Sequence, residues 1–424
     1  MPALPGSVLT LPRLLLAAAF FCGCTIAGLF TSSFFRILPS IGMAGLVLTS
    51  LVCYWRHRAA YRRCNAVGYG SFLLVYAVHV FSGLLLDTLS EAKYKQDVVL
   101  QLPFLLLPLA FWLLPPLPTR YLRGLWMWFI ALTVCAAAYS TGNYLLHQEE
   151  INGLYLQSKV MPTEPDHIRF SLMVTLAVAV GSILLAHRAV AERLRPWVLT
   201  ATLSLALFQH LLAVRSGLLT LYIVGGVAVL WLAIRLRRFR PAAGLLSLLL
   251  LLPIVGYVCF PTFRNKFTNT REDIDRVEHT ASANNYSLVG RVYSYRVAYK
   301  VFGDNPWLGV GKANMEAELA ARYKQDFPNI NPQAYILPHN QYLYAAVAFG
   351  LVGVLLFMFG FYYAGVSIWP AYAPILVTQY LIVTLSFLVE YTVETQIGIA
   401  FSLFFLLLAL EGSKPSAADG WRPR

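Results

Sequence analysis

The stretch ILPHNQYLYAAVAFG, Ile336 to Gly350, places His339 and Asn340 directly after Pro338 at the mouth of an apolar run. A histidine at a helix start meets unpaired backbone N–H groups and the positive end of the helix dipole, which disfavour imidazolium. The neutral ring can accept a proton, so His339 is a candidate general base. Taken alone, it also reads as an interfacial polar residue that caps a helix. Arg215, in AVRSGLLTL, and Arg291, in a long polar segment, fall on the same side of the chain's helices as His339 by the topology argued below. A lone arginine there could snorkel to headgroups. Two of them, however, grip phosphate oxygens through parallel N–H donors and never lose their charge. Two permanent cations and a neutral base suit an enzyme acting on a phosphate-linked lipid.

Other motifs carry less. REDIDR holds Asp273 and Asp275, an Asp-x-Asp pair of the kind that carries a divalent ion under a diphosphate, but Arg271 and Arg276 flank it and a salt-bridged surface loop is expected. GVGK, Gly309 to Lys312, lacks the glycine spacing and the Ser/Thr of a phosphate loop and reads as a turn between two helices. His79, Gln209 and His210 lie within apolar runs, where a hydrogen bond between helices explains each of them. Glu390 and Glu394, four residues apart, are placed where they could steer an arginine or an acceptor sugar.

The elements that must position these groups follow from composition. The chain has 424 residues, 58% hydrophobic and 12% charged, with a mean hydropathy of +0.61. So little charge cannot cover so much apolar mass in water. Apolar runs near the roughly 20 residues needed to cross hydrocarbon recur throughout, and only helices satisfy their backbone within them. The expected fold is all-α, a polytopic membrane bundle of about 12 helices with one large, mostly helical external loop. It divides as residues 1–260, nine spans with short loops; 261–339, the loop; 340–411, three further spans; and 412–424, a tail. The first apolar run, Leu11 to Phe30, is read as a retained helix and not a cleaved leader.

Arginine clusters after the second, fourth, sixth and eighth spans (Arg56, Arg58, Arg62 and Arg63; Arg120 and Arg123; Arg188, Arg193 and Arg195; Arg235, Arg237, Arg238 and Arg240) put those loops and both termini in the cytoplasm. Topology thus accounts for the net charge of +13, and no nucleic-acid partner is indicated. The six cysteines form no disulfide framework or metal cluster. Within the loop, Asn285 or Ser287 should cap a helix running to about Phe302, on which Arg291 and Tyr295 share a face, and a second helix should cover Asn314 to Lys324.

The arginine in VRSG, the stretch GRVYSYRVAYKVFGDNPWLGVGKAN and the PHNQYL that opens the next span together resemble the O-antigen ligase family, within the wider group of O-antigen ligases and polymerases. The likeness runs from about Val198 to the C-terminus; Tyr295 stands where the family usually has Trp, and VRSG where it more often has Ser-Arg-Gly. The resemblance implies an inverting, metal-independent glycosyl transfer on the periplasmic face of a Gram-negative inner membrane. The donor would be a polysaccharide on undecaprenyl diphosphate and the acceptor a sugar hydroxyl of lipid A-core, with no cofactor. Arg215 and Arg291 would bind the diphosphate, His339 would take the acceptor's proton, and Tyr295 and Asn340 would support them. The residues suit that chemistry: a diphosphate leaves without protonation if its charge is stabilised, so a single base suffices where glycosidases need two carboxylates. A polymerase using the same donor would divide its functional residues between two large loops, a protein-glycosylating relative would carry extra mass after the last span, and a transporter would hold charges at mid-membrane.

Overall fold

The computed structural model describes residues 10–31, 34–57, 66–85, 91–157, 159–367 and 373–412. Arg58, Arg62 and Arg63 of the first basic loop, and the tail beyond Gly412, lie outside the described residues. The chain is all-α, with no strand among the described residues. Its helices are α1 (Leu11–Leu29), α2 (Leu38–Arg56), α3 (Ala66–Gly70), α4 (Leu73–Leu85), α5 (Ala92–Gln101), α6 (Pro103–Leu113), α7 (Thr119–Leu146), α8 (Gln148–Leu156), α9 (His167–Ala186) and α10 (Arg195–Leu212). They continue as α11 (Arg215–Leu230), α12 (Phe239–Cys259), α13 (Pro261–Asp275), α14 (Ser287–Asp304), α15 (Lys312–Asp326), α16 (Gln341–Ser367), α17 (Pro374–Val389), α18 (Gln396–Ile399) and α19 (Phe405–Glu411).

Nine stretches among the described residues are helical, long and apolar enough to cross a membrane, and two shorter apolar helices, Pro374–Val389 and Gln396–Glu411, accompany them. This is a multi-pass membrane protein. Prolines sit in the first turn of α2, α6, α10, α13 and α17, where no intrahelical donor is lost. α9 is central, with 61% of its apolar window buried, whereas α11 and α12 bury 17% each and present their sides to lipid. The last helical stretch also runs through the centre: every residue of α19 is buried, and Phe405 stacks on Trp126 of α7 at 5.6 Å. Gln209 donates to the Ser171 carbonyl of α9 (3.2 Å), and His210 meets the Tyr222 hydroxyl of α11 (2.5 Å), so both polar groups close helix-to-helix bonds as their burial demands.

Between α12 and α16 the chain builds α13, α14 and α15, one helix more than the sequence reading found there. The expected side-chain cap on α14 is not made: its N-cap position is Tyr286, which forms no capping bond. α14 and α15 enclose a second core of Val289, Tyr293, Val297, Met315, Leu319 and Tyr323, which continues into Leu343–Phe349 at the start of α16. GVGK does connect α14 to α15, and it also docks on α16. There the helix breaks at Gly350, with φ 66° and ψ −169°. The N–H groups of Val310 and Gly311 donate to the Val347 and Ala348 carbonyls (2.9 Å each), and Leu351 N–H donates to the Pro306 carbonyl (2.8 Å). The strand-like exchange satisfies groups that the broken helix leaves open.

Candidate active site

α13 anchors the polar end of the bundle. One of its faces carries Thr262, Lys266, Asn269 and Asp273, all buried. Thr262 donates to the Leu211 carbonyl at the end of α10 (2.7 Å), and Asn269 donates to the Tyr155 carbonyl of α8. Asp273, with no side-chain exposure, accepts from Arg215 Nη2 at 2.7 Å. This corrects the expected surface loop. REDIDR is the end of a helix, Asp273 is paired with Arg215 and not with its sequence neighbours, and the exposed Asp275 is two residues on. Two helical positions that far apart face away from each other and cannot share an ion. Arg215 Nε is itself buried without a hydrogen-bond partner.

The second centre gathers around Glu390, immediately after α17. Its Oε1 accepts from Arg291 Nη2 (2.8 Å) and lies 2.9 Å from His339 Nδ1. Arg291 is held again by the Val389 carbonyl (3.2 Å). An ionised carboxylate only accepts, so His339 donates from Nδ1, and in the neutral ring Nε2 is then the acceptor. The nearest charge to the ring is thus a carboxylate and not the helix end on which the sequence reading relied. Asn340 takes the helix-end role: its Oδ1 accepts from Leu343 N–H (2.9 Å), and its amide donates to the Leu388 carbonyl (3.2 Å). Tyr295, one turn along α14 from Arg291, donates to the His339 carbonyl at 2.6 Å, and the Tyr391 ring lies 5.1 Å from the imidazole. Of the five residues singled out in the sequence, four, Arg291, Tyr295, His339 and Asn340, fall into one group, and the fifth, Arg215, is paired apart from them with Asp273.

On the same face of α13 as Asp273, burial above all, with the positive charges of Arg215 and Arg291 and against the pull of Asp273, brings the Lys266 ammonium down to about 8. His167, at the start of α9, also senses Lys266, Glu390 and Arg291. Sequence reasoning does not put Lys266, Asp273 or Glu390 among the site residues; Glu390, which the sequence places where it could steer an arginine or an acceptor sugar, bonds to Arg291.

A further buried network lies on the far side of α16's first turn. Lys312 bridges the carboxylates of Asp97 and Glu394, Asp97 meets His79 Nδ1 at 2.7 Å, and Gln341 donates to Glu394 at 2.8 Å. Burial alone would lower the Lys312 ammonium, and Glu394 and Asp97 more than reverse that, leaving it above its ordinary value. His79, Asp97 and Glu394 bring ligand atoms within 4.8 Å of one another, but the lysine already serves as their cation. Lys312 is thus committed to carboxylates, in agreement with reading GVGK as no phosphate loop.

Residues 200–358 match the family described as O-Antigen ligase. The chain carries a region of the O-antigen ligase family. That region holds Arg215, Lys266, Asp273, Arg291, Tyr295, His339 and Asn340, while Glu390 lies beyond it. The match covers less than half of the chain and supports a membrane activity of the O-antigen ligase or polymerase type. No curated protein and no solved structure gives a match.

Proposed function

We propose that the protein is an O-antigen ligase that moves polysaccharide from undecaprenyl diphosphate to a sugar hydroxyl of lipid A-core, with inversion and without a metal, on the periplasmic face of the inner membrane. The observation that carries this reading is the shared Glu390 oxygen, which ties the cation Arg291 to the base His339. The acceptor hydroxyl gives its proton to His339 Nε2 as its oxygen bonds to the anomeric carbon. The bond from that carbon to the diphosphate breaks, and the electron pair stays on the departing oxygen. Glu390 then faces an imidazolium, which its charge stabilises. Arg215 and Arg291 each spend one or two of five N–H donors on the protein and have others for the diphosphate. Tyr295 and Asn340 fix the backbone on either side of the imidazole. Basic residues at the opposite ends of α11 and α12, Arg235, Arg237, Arg238 and Arg240, support an outward orientation for the site.

The test is gel analysis of lipopolysaccharide from cells carrying His339→Ala. A ligase variant should lose the ladder on lipid A-core while full-length polymer accumulates on its carrier. Accumulation of single repeat units would favour polymerase, and a ladder of normal intensity would reject the assignment. In a purified reaction, activity lost to a chelator and restored by magnesium or manganese would overturn the metal-free mechanism.

A further inference from the structure

We propose that the turn between α14 and α15, Pro306 to Gly311, is a hairpin embedded in the membrane, with Trp307 and Leu308 at its tip packed against the acyl chains of the leaflet nearest the candidate site. The path of the chain sets its depth. α14 runs beside the first turns of α16 in the same direction: Tyr295 donates to the His339 carbonyl, and further on the Pro306 and Trp307 carbonyls accept from the N–H groups of Leu351 (2.8 Å) and Val352 (3.3 Å). The chain then turns back, and Val310 and Gly311 pair with Val347 and Ala348. The tip is thus level with Leu351 and Val352, well inside a helix long and apolar enough to cross a membrane. From Val352 to the end of α16 at Ser367, a rise of about 1.5 Å per residue gives about 23 Å. A hydrocarbon core is about 30 Å thick, so a helix that leaves it at Ser367 holds the tip inside the opposite boundary, and any tilt sets it deeper.

Composition and bonding suit that depth. Pro306 to Gly311 carries no charge, and the charged residues that flank it are ion-paired, Asp304 with Arg322 and Lys312 with Asp97 and Glu394. Trp307 is 67% exposed and Leu308 46%, and the exposed Leu351, Val352 and Leu355 of α16 continue the same apolar surface. The hairpin therefore extends the lipid-facing side of a membrane helix. Non-helical backbone is costly in hydrocarbon unless the protein pairs its polar groups. Here two irregular segments pair with each other: Val310, Gly311, Leu351 and Val352 donate across the gap, Gly309 donates to the Asn305 carbonyl (3.1 Å), and Pro306 has no N–H to leave open. At a rim bathed in water such pairing would be optional, since water satisfies open groups. Tryptophan suits the level as well, being apolar in its rings with a single N–H for the headgroup region.

The test is spin labelling of the full chain, freed of its six cysteines and held in lipid nanodiscs. A nitroxide on Leu308→Cys reports collisions with oxygen, which concentrates in hydrocarbon, and with a water-soluble nickel chelate. Leu355→Cys on α16 and the exposed Glu318→Cys on α15 give the lipid and water references. The oxygen-to-nickel ratio at Leu308→Cys should match that of Leu355→Cys. A ratio matching Glu318→Cys puts the tip in water and overturns the proposal, and low collision with both probes means that protein covers the tip, which overturns it too. Trp307→Phe keeps an apolar ring and serves if the cysteine variant misfolds: the emission present in wild type and absent from Trp307→Phe should be quenched by lipids brominated on their acyl chains. If that difference is not quenched, the hairpin is not inserted. Neither readout depends on enzymatic activity, so a failure here leaves the reading of the site untouched.

Discussion

Glu390 Oε1 lies 2.9 Å from His339 Nδ1, across 51 residues of sequence, and the same oxygen holds Arg291. Replacement by glutamine keeps the size and an oxygen that Arg291 and His339 can share, but removes the negative charge that would stabilise the imidazolium. Glu390→Gln should lower kcat for transfer by at least about tenfold. The donor KM should change less, because Arg291 retains the Val389 carbonyl. Steady-state rates in a reconstituted reaction would measure this. A fall in donor affinity alone would mean that Glu390 serves Arg291 and not His339.

Arg215 and Asp273 are asymmetric partners. The carboxylate has no exposure, and the arginine side chain retains 30%. Arg215→Ala therefore strands a buried charge, at a cost of about 3–5 kcal/mol, while Asp273→Ala leaves a cation that water still reaches and should cost clearly less. The double variant should recover part of the loss. Thermal unfolding in detergent gives the ranking, and it bears on activity assays as well: loss of transfer in Arg215→Ala is best read in the background of Asp273→Ala, where destabilisation is reduced. Equal melting temperatures for the single and double Arg215 variants would deny the stranded charge.

The membrane helices were legible because hydropathy is a local property: a run such as Val67–Leu84 is apolar whatever it packs against. Arg215, Arg291 and His339 could be picked out because cations and imidazole are conspicuous beside apolar spans. Their partners could not. Asp273 owes its burial to Arg215, 58 residues earlier, and in the sequence it stands among arginines that never touch it. The sequence does carry one signal of it: Thr262, Lys266, Asn269 and Asp273 recur at intervals of four, three and four, a polar stripe on a helix whose end, REDIDR, reads locally as a salt-bridged surface loop. The docking of GVGK on α16 left even less trace, since it is made from backbone groups alone and any sequence carries those.

That docking can be tested at Gly350. The residue's positive φ with extended ψ is open almost exclusively to glycine, and a Cβ there would lie 2.2 Å from the Trp307 carbonyl oxygen. The opposing segment cannot retreat without breaking the bonds from Val310 and Leu351 to their partners. Gly350→Ala should therefore cost the strain of the backbone, of order 1–3 kcal/mol, together with the lost pairing, and lower the melting temperature. Gly226 is the control. It sits in α11 with open space where its Cβ would be, so Gly226→Ala should be neutral or stabilising. Because α16 begins at the residue after Asn340, loosening the break should also disturb the imidazole, and transfer should fall in parallel with stability. A Gly350→Ala protein that melts and turns over like Gly226→Ala would show that the break in α16 is not what holds His339 in place.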